Sequence, residues 1–314
     1  MTRIIAVTGA TGAQGGGLIR AILADPDAGF TARAITRNPA SQAAIALATK
    51  GVDVVQADLD DEASVTGAFA DAHGIFCVTN FWEHFSPERE KAQARNLANA
   101  VAAAGPAHVI WSTLEDVRDY VPLSDSRMPT LMGSYKVPHF DAKAEANAFF
   151  RDAGVPMTYL YTSFYWDNMI SFGMGPVRRE DGTLAVTFPL ADAALPSIAA
   201  SDIGACAYGI FREGASWIGR SVGIAGEHLT GSDMAAGLTE VLGEEVRYNA
   251  VTPAAYSAFG FPGADELANM FQFNTEFAED FGACRDVETT RRLNPGLRSY
   301  SQWLEQNATR IPIG

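Results

Sequence analysis

The 314-residue chain has only three cysteines, Cys77, Cys206 and Cys284, which lie far apart and form no Cys-x-x-Cys pair or metal-ligand spacing. This scarcity excludes a disulfide framework and favours reduced thiols in a cytoplasmic protein. No apolar run approaches the ~20 residues that span a bilayer, and the opening MTRIIAVTGATG lacks the long apolar segment of a secretory signal. We therefore expect neither a metal site nor a membrane segment.

Positive charge is also scarce. The chain has 23 Lys and Arg residues against 37 Asp and Glu, which gives a formal net charge of −14. Such a chain repels phosphate backbones and anionic membrane faces, so nucleic acid is not an expected partner. With 47% hydrophobic and 19% charged residues, the composition is that of a globular protein with a sizeable core, whose oligomeric state is left open.

Short β-branched runs alternate with helical patterns through the first half of the chain. This alternation predicts an α/β fold, a Rossmann-type doubly wound parallel sheet with helices on both faces. After Tyr161 the sequence becomes rich in aromatic residues and glycine, which predicts a smaller, irregular α/β lobe over residues 163–314 beside an NADP-binding domain at 1–162. Whether Val222–Ala225 returns to the main sheet is left open. The predicted strands are Arg3–Thr8, Thr31–Thr36, Val52–Gln56, Gly74–Thr79, His108–Ser112, Met157–Tyr161 and Thr183–Pro189, with brief ones near Val222 and Val246, and the predicted helices are Gly12–Ala24, Ala40–Lys50, Ser64–Ala70, Glu88–Ala104 and Val137–Ala153.

The first predicted strand runs directly into a glycine loop with G-x-x-G-x-x-G spacing, which opens the first helix. Glycine permits a tight turn and a close approach of the backbone to a pyrophosphate, whose charge then meets free N–H groups and the positive helix end. A glycine-rich turn without a ligand is the alternative. The position between strand and helix predicts a dinucleotide site formed by Gly9, Thr11, Gly12, Ala13, Gln14 and Gly15.

The end of the second strand, Ala34-Ile35-Thr36-Arg37-Asn38-Pro39, lacks the acidic residue that holds the ribose 2′-hydroxyl of NAD. Arg37 offers a planar cation for a 2′-phosphate, which predicts a preference for NADP(H) over NAD(H). A solvated arginine before Pro39 is the alternative. Asp58, after the third strand, is predicted to accept a hydrogen bond from adenine unless it caps the following helix.

With the glycine loop, TRNP, QADLDD and VTNFWE, the chain resembles the NmrA-like family, an atypical branch of the short-chain dehydrogenase/reductases. The likeness continues through VPHFDAKAEANAFFRDAGVPMT, SFYWDNM and GIAGEHLTG and covers most of the chain. It implies a Rossmann lobe that binds NADP or NAD and a small second lobe. Members divide between reductases of quinones or other aromatic acceptors and non-catalytic dinucleotide sensors that regulate partner proteins.

The superfamily's Tyr-x-x-x-Lys pair is only half present, because the frame reads His139-Phe140-Asp141-Ala142-Lys143. The resemblance implies that Lys143 binds the nicotinamide ribose; an ordinary exposed helix lysine is the alternative. His139 is a candidate general acid, since imidazole donates protons near neutral pH, or else a helix-start histidine. Ser112 and Thr113, at the end of the fifth strand, are candidates for orienting a substrate carbonyl or for satisfying local backbone groups.

The fourth strand ends in Thr79-Asn80-Phe81-Trp82, at the carboxyl edge where open α/β sheets bind ligands. We expect Thr79, Asn80 and Phe81 beside the nicotinamide, and we expect Tyr165 and Asn168 to direct polar groups toward the ring or substrate unless they cap a helix. Aromatic walls suit a flat apolar acceptor, although interdomain packing also uses aromatic residues. The aromatic residues in segments that should converge here are Phe81, Trp82, Phe85, Tyr135, Phe164, Tyr165 and Trp166, of which Phe81, Trp82, Phe164, Tyr165 and Trp166 are the predicted substrate contacts.

The sequence therefore favours an NADPH-dependent oxidoreductase that reduces a quinone-like, enone or other aromatic or carbonyl acceptor. A stabilised phenolate takes its proton from water, so the missing tyrosine is a weak objection. The alternative is a non-catalytic NADP(H)-binding redox sensor that regulates a protein partner, which the missing tyrosine favours.

Overall fold

A computed structural model describes residues 3–314, whose strands form one seven-stranded sheet and two three-stranded sheets. The strands are β1 (Arg3–Val7), β2 (Phe30–Thr36), β3 (Asp53–Gln56), β4 (Gly74–Cys77), β5 (His108–Thr113), β6 (Met157–Tyr161), β7 (Phe164–Tyr165), β8 (Val177–Arg178), β9 (Leu184–Phe188), β10 (Leu195–Ile198), β11 (Arg220–Gly223), β12 (Glu227–Leu229) and β13 (Val246–Ala250). The helices are α1 (Ala13–Ala24), α2 (Gln42–Thr49), α3 (Glu62–Phe69), α4 (Pro87–Ala104), α5 (Pro138–Asp152), α6 (Asn168–Ser171), α7 (Ala200–Glu213), α8 (Gly231–Leu242), α9 (Pro253–Ser257), α10 (Ala264–Glu276), α11 (Ala278–Ala283), α12 (Val287–Leu293) and α13 (Tyr300–Asn307).

The large sheet has the order β11-β6-β5-β4-β1-β2-β3, and every neighbouring pair in it is parallel. The direction of winding reverses between β1 and β4, which opens a crevice at their carboxyl ends. The Rossmann-type prediction is confirmed, and the six strands predicted for the first half are present with ends shifted by at most two residues. β11 adds a seventh strand beside β6, so the segment around Val222 does return to the main sheet.

Both faces of the large sheet are covered, which explains why its strands are apolar at successive positions. In β4, Phe76 belongs to the core cluster shared with α1 and α7, whereas Ile75 and Cys77 belong to the cluster shared with α3, α4 and α5. Side chains alternate between the two faces of a strand, so neighbouring residues serve opposite helical layers. The result is a central sheet held between two dry cores.

Glycine lets α7 pack closely on α1. A Cβ atom at Gly17 would lie 2.2 Å from the carbonyl oxygen of Ser201, and one at Gly204 would lie 2.0 Å from the backbone nitrogen of Leu18. A helix from the second half of the chain thus covers the helix that follows the glycine loop. The division of the chain into two domains at residue 162 stays a prediction. Two elements that follow this boundary in the chain, α7 and β11, pack with the large sheet.

The remaining second half forms two small sheets, ordered β12-β10-β7 and β13-β9-β8, which pack with α8–α11 and α13 around a third core cluster, whereas α12 packs against α7. Cys77 and Cys206 are buried, Cys284 is exposed, and all three thiols are free. Within residues 3–314, no helix combines the length and the apolar character that crossing a bilayer requires.

Candidate functional site

A cleft of about 660 Å³ opens at the carboxyl edge of the large sheet, at the reversal between β1 and β4. Its lining combines the glycine loop, the ends of the central strands, and side chains from α5, α6 and α10. Every residue predicted from the sequence to form the site lines this cleft, with one exception, Trp166. Those that do are Gly9, Thr11, Gly12, Ala13, Gln14, Gly15, Arg37, Asp58, Thr79, Asn80, Phe81, Trp82, Ser112, Thr113, His139, Lys143, Phe164, Tyr165 and Asn168.

The glycine loop forms a tight backbone turn, called here the glycine cradle, in which a side chain at Gly15 would clash with the backbone. Gly9 has φ +59°, a left-handed conformation, and a Cβ atom at Gly15 would lie 2.5 Å from the Gly9 carbonyl oxygen. The N-cap residue of α1, Gly12, provides no side-chain cap, so the first-turn N–H groups, which have no partner within a helix, line the cleft. Such free amides at a positive helix end suit a phosphate.

Arg37 lies at the end of β2 with its guanidinium paired to the Glu83 carboxylate. The pair is bidentate, with Nη2 donating to Oε2 at 3.0 Å and Nη1 donating to Oε1. Both side chains are exposed, at 53% and 39%. Arg37 is therefore an exposed arginine that is paired with an acid, and its contact with a 2′-phosphate stays a prediction.

Asp58 does not cap α3, so that alternative is wrong. The cap is Asp61, which accepts from the amides of Ala63 and Ser64. Asp58 is exposed at the cleft, and one of its carboxylate oxygens accepts from the Asp60 amide at 3.0 Å. Its second oxygen stays available, and the adenine contact remains a prediction.

Lys143 is buried and bound within the protein, so it is not an ordinary exposed helix lysine. Its Nζ atom donates to Glu90 Oε1 at 2.6 Å, to the Thr79 hydroxyl at 2.7 Å and to the Thr79 carbonyl at 3.3 Å. Glu90, from α4, is fully buried, and the Thr79 hydroxyl also donates to it at 2.5 Å. All three ammonium protons are thus used before any ligand arrives.

His139 forms a buried pair with Glu266 of α10. The carboxylate Oε1 accepts from His139 Nδ1 at 2.7 Å and from the His139 backbone amide at 2.6 Å. Because the carboxylate needs a donor, these bonds assign the Nδ1 proton and leave Nε2 as the ring nitrogen that forms no bond with the described residues. The Trp82 ring centroid lies 4.8 Å away. His139 is therefore more than a histidine that starts a helix.

Asp141 fixes the start of α5 and hence the placement of His139. Its carboxylate accepts from the amides of Val117, Lys136 and Val137 at 2.9, 2.7 and 3.1 Å. Burial raises the pKa of Asp141 to about 6, against the lowering effect of those amides. One acidic side chain thereby anchors two loops below the cleft.

Tyr165 and Gln14 link the second half of the chain to the glycine loop. Gln14 Nε2 donates to the Tyr165 hydroxyl at 2.6 Å, and burial raises the pKa of that phenol, which keeps it protonated at neutral pH. Neither Tyr165 nor Asn168 caps α6, whose N-cap residue makes no side-chain cap, so the capping alternative is wrong.

The two hydroxyl residues at the end of β5 differ in their contacts. Thr113 donates to Asn147 Oδ1 at 2.8 Å, and the Ser112 hydroxyl makes no bond with the described residues.

Aromatic rings from several elements wall the cleft. Trp82 packs edge-on against Phe81 and Phe172, with ring centroids 5.7 and 6.1 Å away, and Phe140, Phe164 and Phe281 complete the lining. The expectation that Trp166 contacts substrate is wrong, because its ring is fully buried against α13 and its Nε1 donates to Ser197 at 2.8 Å. Phe85 and Tyr135, also expected at this edge, do not line the cleft.

Three buried side-chain polar atoms in the cleft lack partners among the described residues: Gln14 Oε1, Ser163 Oγ and Asn274 Oδ1. Either orientation of the Gln14 amide leaves one polar atom unpaired. Buried polar groups are nearly always hydrogen-bonded in native proteins, so their concentration here indicates a ligand site. Glu90, Glu266 and Asn274 were absent from the predicted site, because their helical segments carry no motif that distinguishes them from ordinary amphipathic helices.

A model of the NmrA-like family matches residues 1–304 of the chain. Quinone oxidoreductase 2 of Escherichia coli (strain K12) is 29% identical over 296 residues, which cover 92% of this chain and 93% of that protein. The crystal structure of an NADPH-dependent quinone oxidoreductase from Escherichia coli has a TM-score of 0.72 at 26% identity and covers 96% of this chain and 98% of that one. The structure of Nmra, a negative transcriptional regulator, has a TM-score of 0.79 and covers 98% and 95%; at 24% identity this likeness shows the fold alone.

Proposed function

The chain belongs to the NmrA-like family, and from this membership and the lining of its cleft we propose that it is an NADPH-dependent reductase of a flat, apolar acceptor such as a quinone or an enone. The observation that carries the proposal is that one cleft joins a glycine cradle, an aromatic wall and the buried His139–Glu266 pair. The similarity to quinone oxidoreductase 2 supports the acceptor class.

The residues present fit a phosphorylated dinucleotide. The amides of the glycine loop would hold the pyrophosphate, Arg37 the 2′-phosphate and Asp58 the adenine amino group. Lys143 and Thr79 would contact the nicotinamide ribose, with a ribose hydroxyl replacing the longest of the three Lys143 bonds, the one at 3.3 Å. Bound NADPH would supply the hydride that the acceptor takes up.

The chain's contribution at the acceptor is orientation and exclusion of water. The aromatic wall around Trp82 and Phe164 suits a flat ring system, which would stack without unpaired polar groups against it. Asn274 Oδ1 and Ser163 Oγ are buried without partners, so they would bind a polar substituent on the acceptor. These two atoms give an otherwise apolar wall a means of choosing a substrate.

His139 would deliver the proton. Hydride reduction of a quinone gives a hydroquinone monoanion, which needs one proton to become the hydroquinone. Because Nδ1 is bonded to Glu266, Nε2 of the protonated imidazole is the atom that would donate this proton. The Glu266 carboxylate stabilises the positive imidazolium and holds the ring through Nδ1 at 2.7 Å. Glu266 is thus a positioning residue for His139.

The test is oxidation of NADPH in the presence of a panel of quinones and enones. His139→Gln should lower turnover about 100-fold without weakening NADPH binding. Glu266→Gln should lower turnover about tenfold, since the imidazole ring loses the carboxylate that holds it through Nδ1 at 2.7 Å. His228→Gln is the matched control, because that histidine bonds the Arg285 carbonyl at 2.9 Å and lies outside the cleft.

Two outcomes would contradict parts of this proposal. Tight NADPH binding without turnover on any acceptor would favour the non-catalytic redox sensor, whose partner would then bind in only one nucleotide state. Turnover that His139→Gln leaves unchanged would instead keep the reductase and remove His139 as the proton donor.

A further inference from the structure

The ion pair between Arg37 and Glu83 lies where the dinucleotide's extra phosphate would be recognised. Arg37 follows β2, the strand whose end discriminates NADP from NAD in this fold, and all contacts of its guanidinium with acidic groups are to the single carboxylate of Glu83. Both residues line the cleft. A planar guanidinium binds carboxylate and phosphate through the same two-pronged geometry.

From this geometry, and resting on the proposed NADPH site, we infer that Glu83 is a specificity-determining residue that competes with the 2′-phosphate for Arg37. Glu83 occupies the Nη1–Nη2 edge of the guanidinium, so a phosphate that binds this edge has to displace the carboxylate. A phosphate that binds the Nε edge instead lies beside the carboxylate, and in both cases the two anions repel each other at the cleft's edge. NADH carries a hydroxyl at this position and leaves the pair intact. Glu83 therefore weakens binding of NADPH and has little effect on NADH.

The guanidinium of Arg89, which the charge of Glu83 also reaches, is already paired with another acid. It donates to the Asp60 carboxylate through Nε at 3.1 Å and Nη2 at 2.5 Å. Asp58 adds a further exposed acid beside the same cleft. Displacing Glu83 consequently leaves an unpaired negative charge, which makes the competition costly.

Glu83 also connects the phosphate site with the acceptor wall. It shares one short 3₁₀ turn, residues Phe81–Glu83, with Trp82, whose ring packs 4.8 Å from His139. Release of Glu83 by a 2′-phosphate thus frees one of the contacts that hold this turn.

The test measures affinity, so it does not depend on catalysis. Calorimetric titrations of wild type and Glu83→Gln use adenosine 2′,5′-bisphosphate and adenosine 5′-monophosphate, which differ only in the 2′-phosphate. We expect Glu83→Gln to tighten the bisphosphate about fivefold, the equivalent of one exposed ion pair, and to leave the monophosphate within twofold. High salt should shrink the difference, because exposed charges are screened.

Glu244→Gln is the matched control. Glu244 forms a similarly exposed bidentate pair with Arg178, at 2.6 and 3.0 Å, and lies outside the cleft. Its substitution therefore removes one negative charge, as Glu83→Gln does, without changing a residue of the cleft. An unchanged or weakened bisphosphate affinity in Glu83→Gln, with wild type binding normally, would overturn the inference and leave the proposed function standing. Failure of the wild-type protein to bind both probes and NADPH would overturn both.

Discussion

Replacing Lys143 with methionine should destabilise the protein through the carboxylate left behind. Lys143 Nζ lies 2.6 Å from Glu90 Oε1, the lysine side chain is 11% exposed and Glu90 is fully buried. Methionine preserves most of the aliphatic stem but removes the charge and its donors. Glu90 would then keep the Thr79 hydroxyl as its hydrogen-bond partner, with His84 Nε2 3.7 Å from its other carboxylate oxygen.

The magnitude follows from the opposing terms of a buried pair. With an effective dielectric constant of about 20, charges 2.6 Å apart attract by roughly 6 kcal/mol, and desolvation of the two ions offsets most of this. Removing one partner forfeits the attraction while the other ion stays buried, so Lys143→Met should lower the free energy of unfolding by about 3–5 kcal/mol. Lys143→Met combined with Glu90→Gln should lie within about 1–2 kcal/mol of wild type, because no uncompensated charge remains.

Urea unfolding of the four proteins in this double-mutant cycle, followed by circular dichroism, measures the coupling. The reasoning is refuted if Lys143→Met alone loses less than about 1 kcal/mol, or if the double variant is as unstable as the single one. The folded double variant also tests the ribose contact: nucleotide affinity equal to wild type would remove Lys143 from the binding site.

Three further outcomes follow from the packing. Gly15→Ala should abolish nucleotide binding in calorimetry with the fold retained in circular dichroism, since its Cβ would lie 2.5 Å from the Gly9 carbonyl oxygen and push into the cradle. Gly204→Ala should lower the unfolding free energy by more than about 2 kcal/mol, because its Cβ would enter the backbone of α1. Burial lowers the pKa of His108 from 6.5 to about 4, so stability present above pH 6.5 is lost as the pH falls toward 4. After allowance for solvent screening this loss is about 1–2 kcal/mol in urea titrations, and His108→Gln should not show it.

Gly67→Ala serves as the control for both glycine variants, because a Cβ atom there meets nothing within 4 Å and α3 gains helix propensity. Full nucleotide affinity in Gly15→Ala, or wild-type stability in Gly204→Ala, would show that the backbone shifts to admit a methyl group. For His108, an identical pH dependence in wild type and His108→Gln would assign the acid loss to other groups.

The large sheet was predictable from the sequence because its strands are buried on both faces. Val109, Ile110 and Trp111 in β5 are all fully buried, and such continuous apolar runs between helical patterns indicate a parallel sheet. The glycine loop was equally predictable, since its spacing follows from the local requirements of the backbone. The position of Trp166 was not predictable, because an aromatic residue suits a ligand wall and a core equally. Its ring packs into the core beside Trp303.

Partners distant in the chain could not be predicted at all. Glu266 bonds His139 across 127 positions, and Glu90 bonds Lys143 across 53. Their segments look like ordinary helix faces, because pairing depends on where α4 and α10 lie in space. A buried charge requires a counter-charge, but the need for one becomes visible only when the structure shows that Lys143 and His139 are buried.

The three basic side chains of the predicted site share one arrangement: each is already held by a carboxylate. Glu83 holds Arg37, Glu90 holds Lys143 and Glu266 holds His139. An anionic dinucleotide therefore meets few free cations in this cleft, and the chain's charge of −14 adds no long-range attraction. Its phosphates depend instead on the uncapped amides at the start of α1, whose partial charges are fixed by the backbone. Nucleotide affinity should thus fall more on disturbing the glycine cradle than on neutralising any one of these side chains, a ranking that calorimetry on Gly15→Ala and on the folded double variant Lys143→Met with Glu90→Gln measures directly.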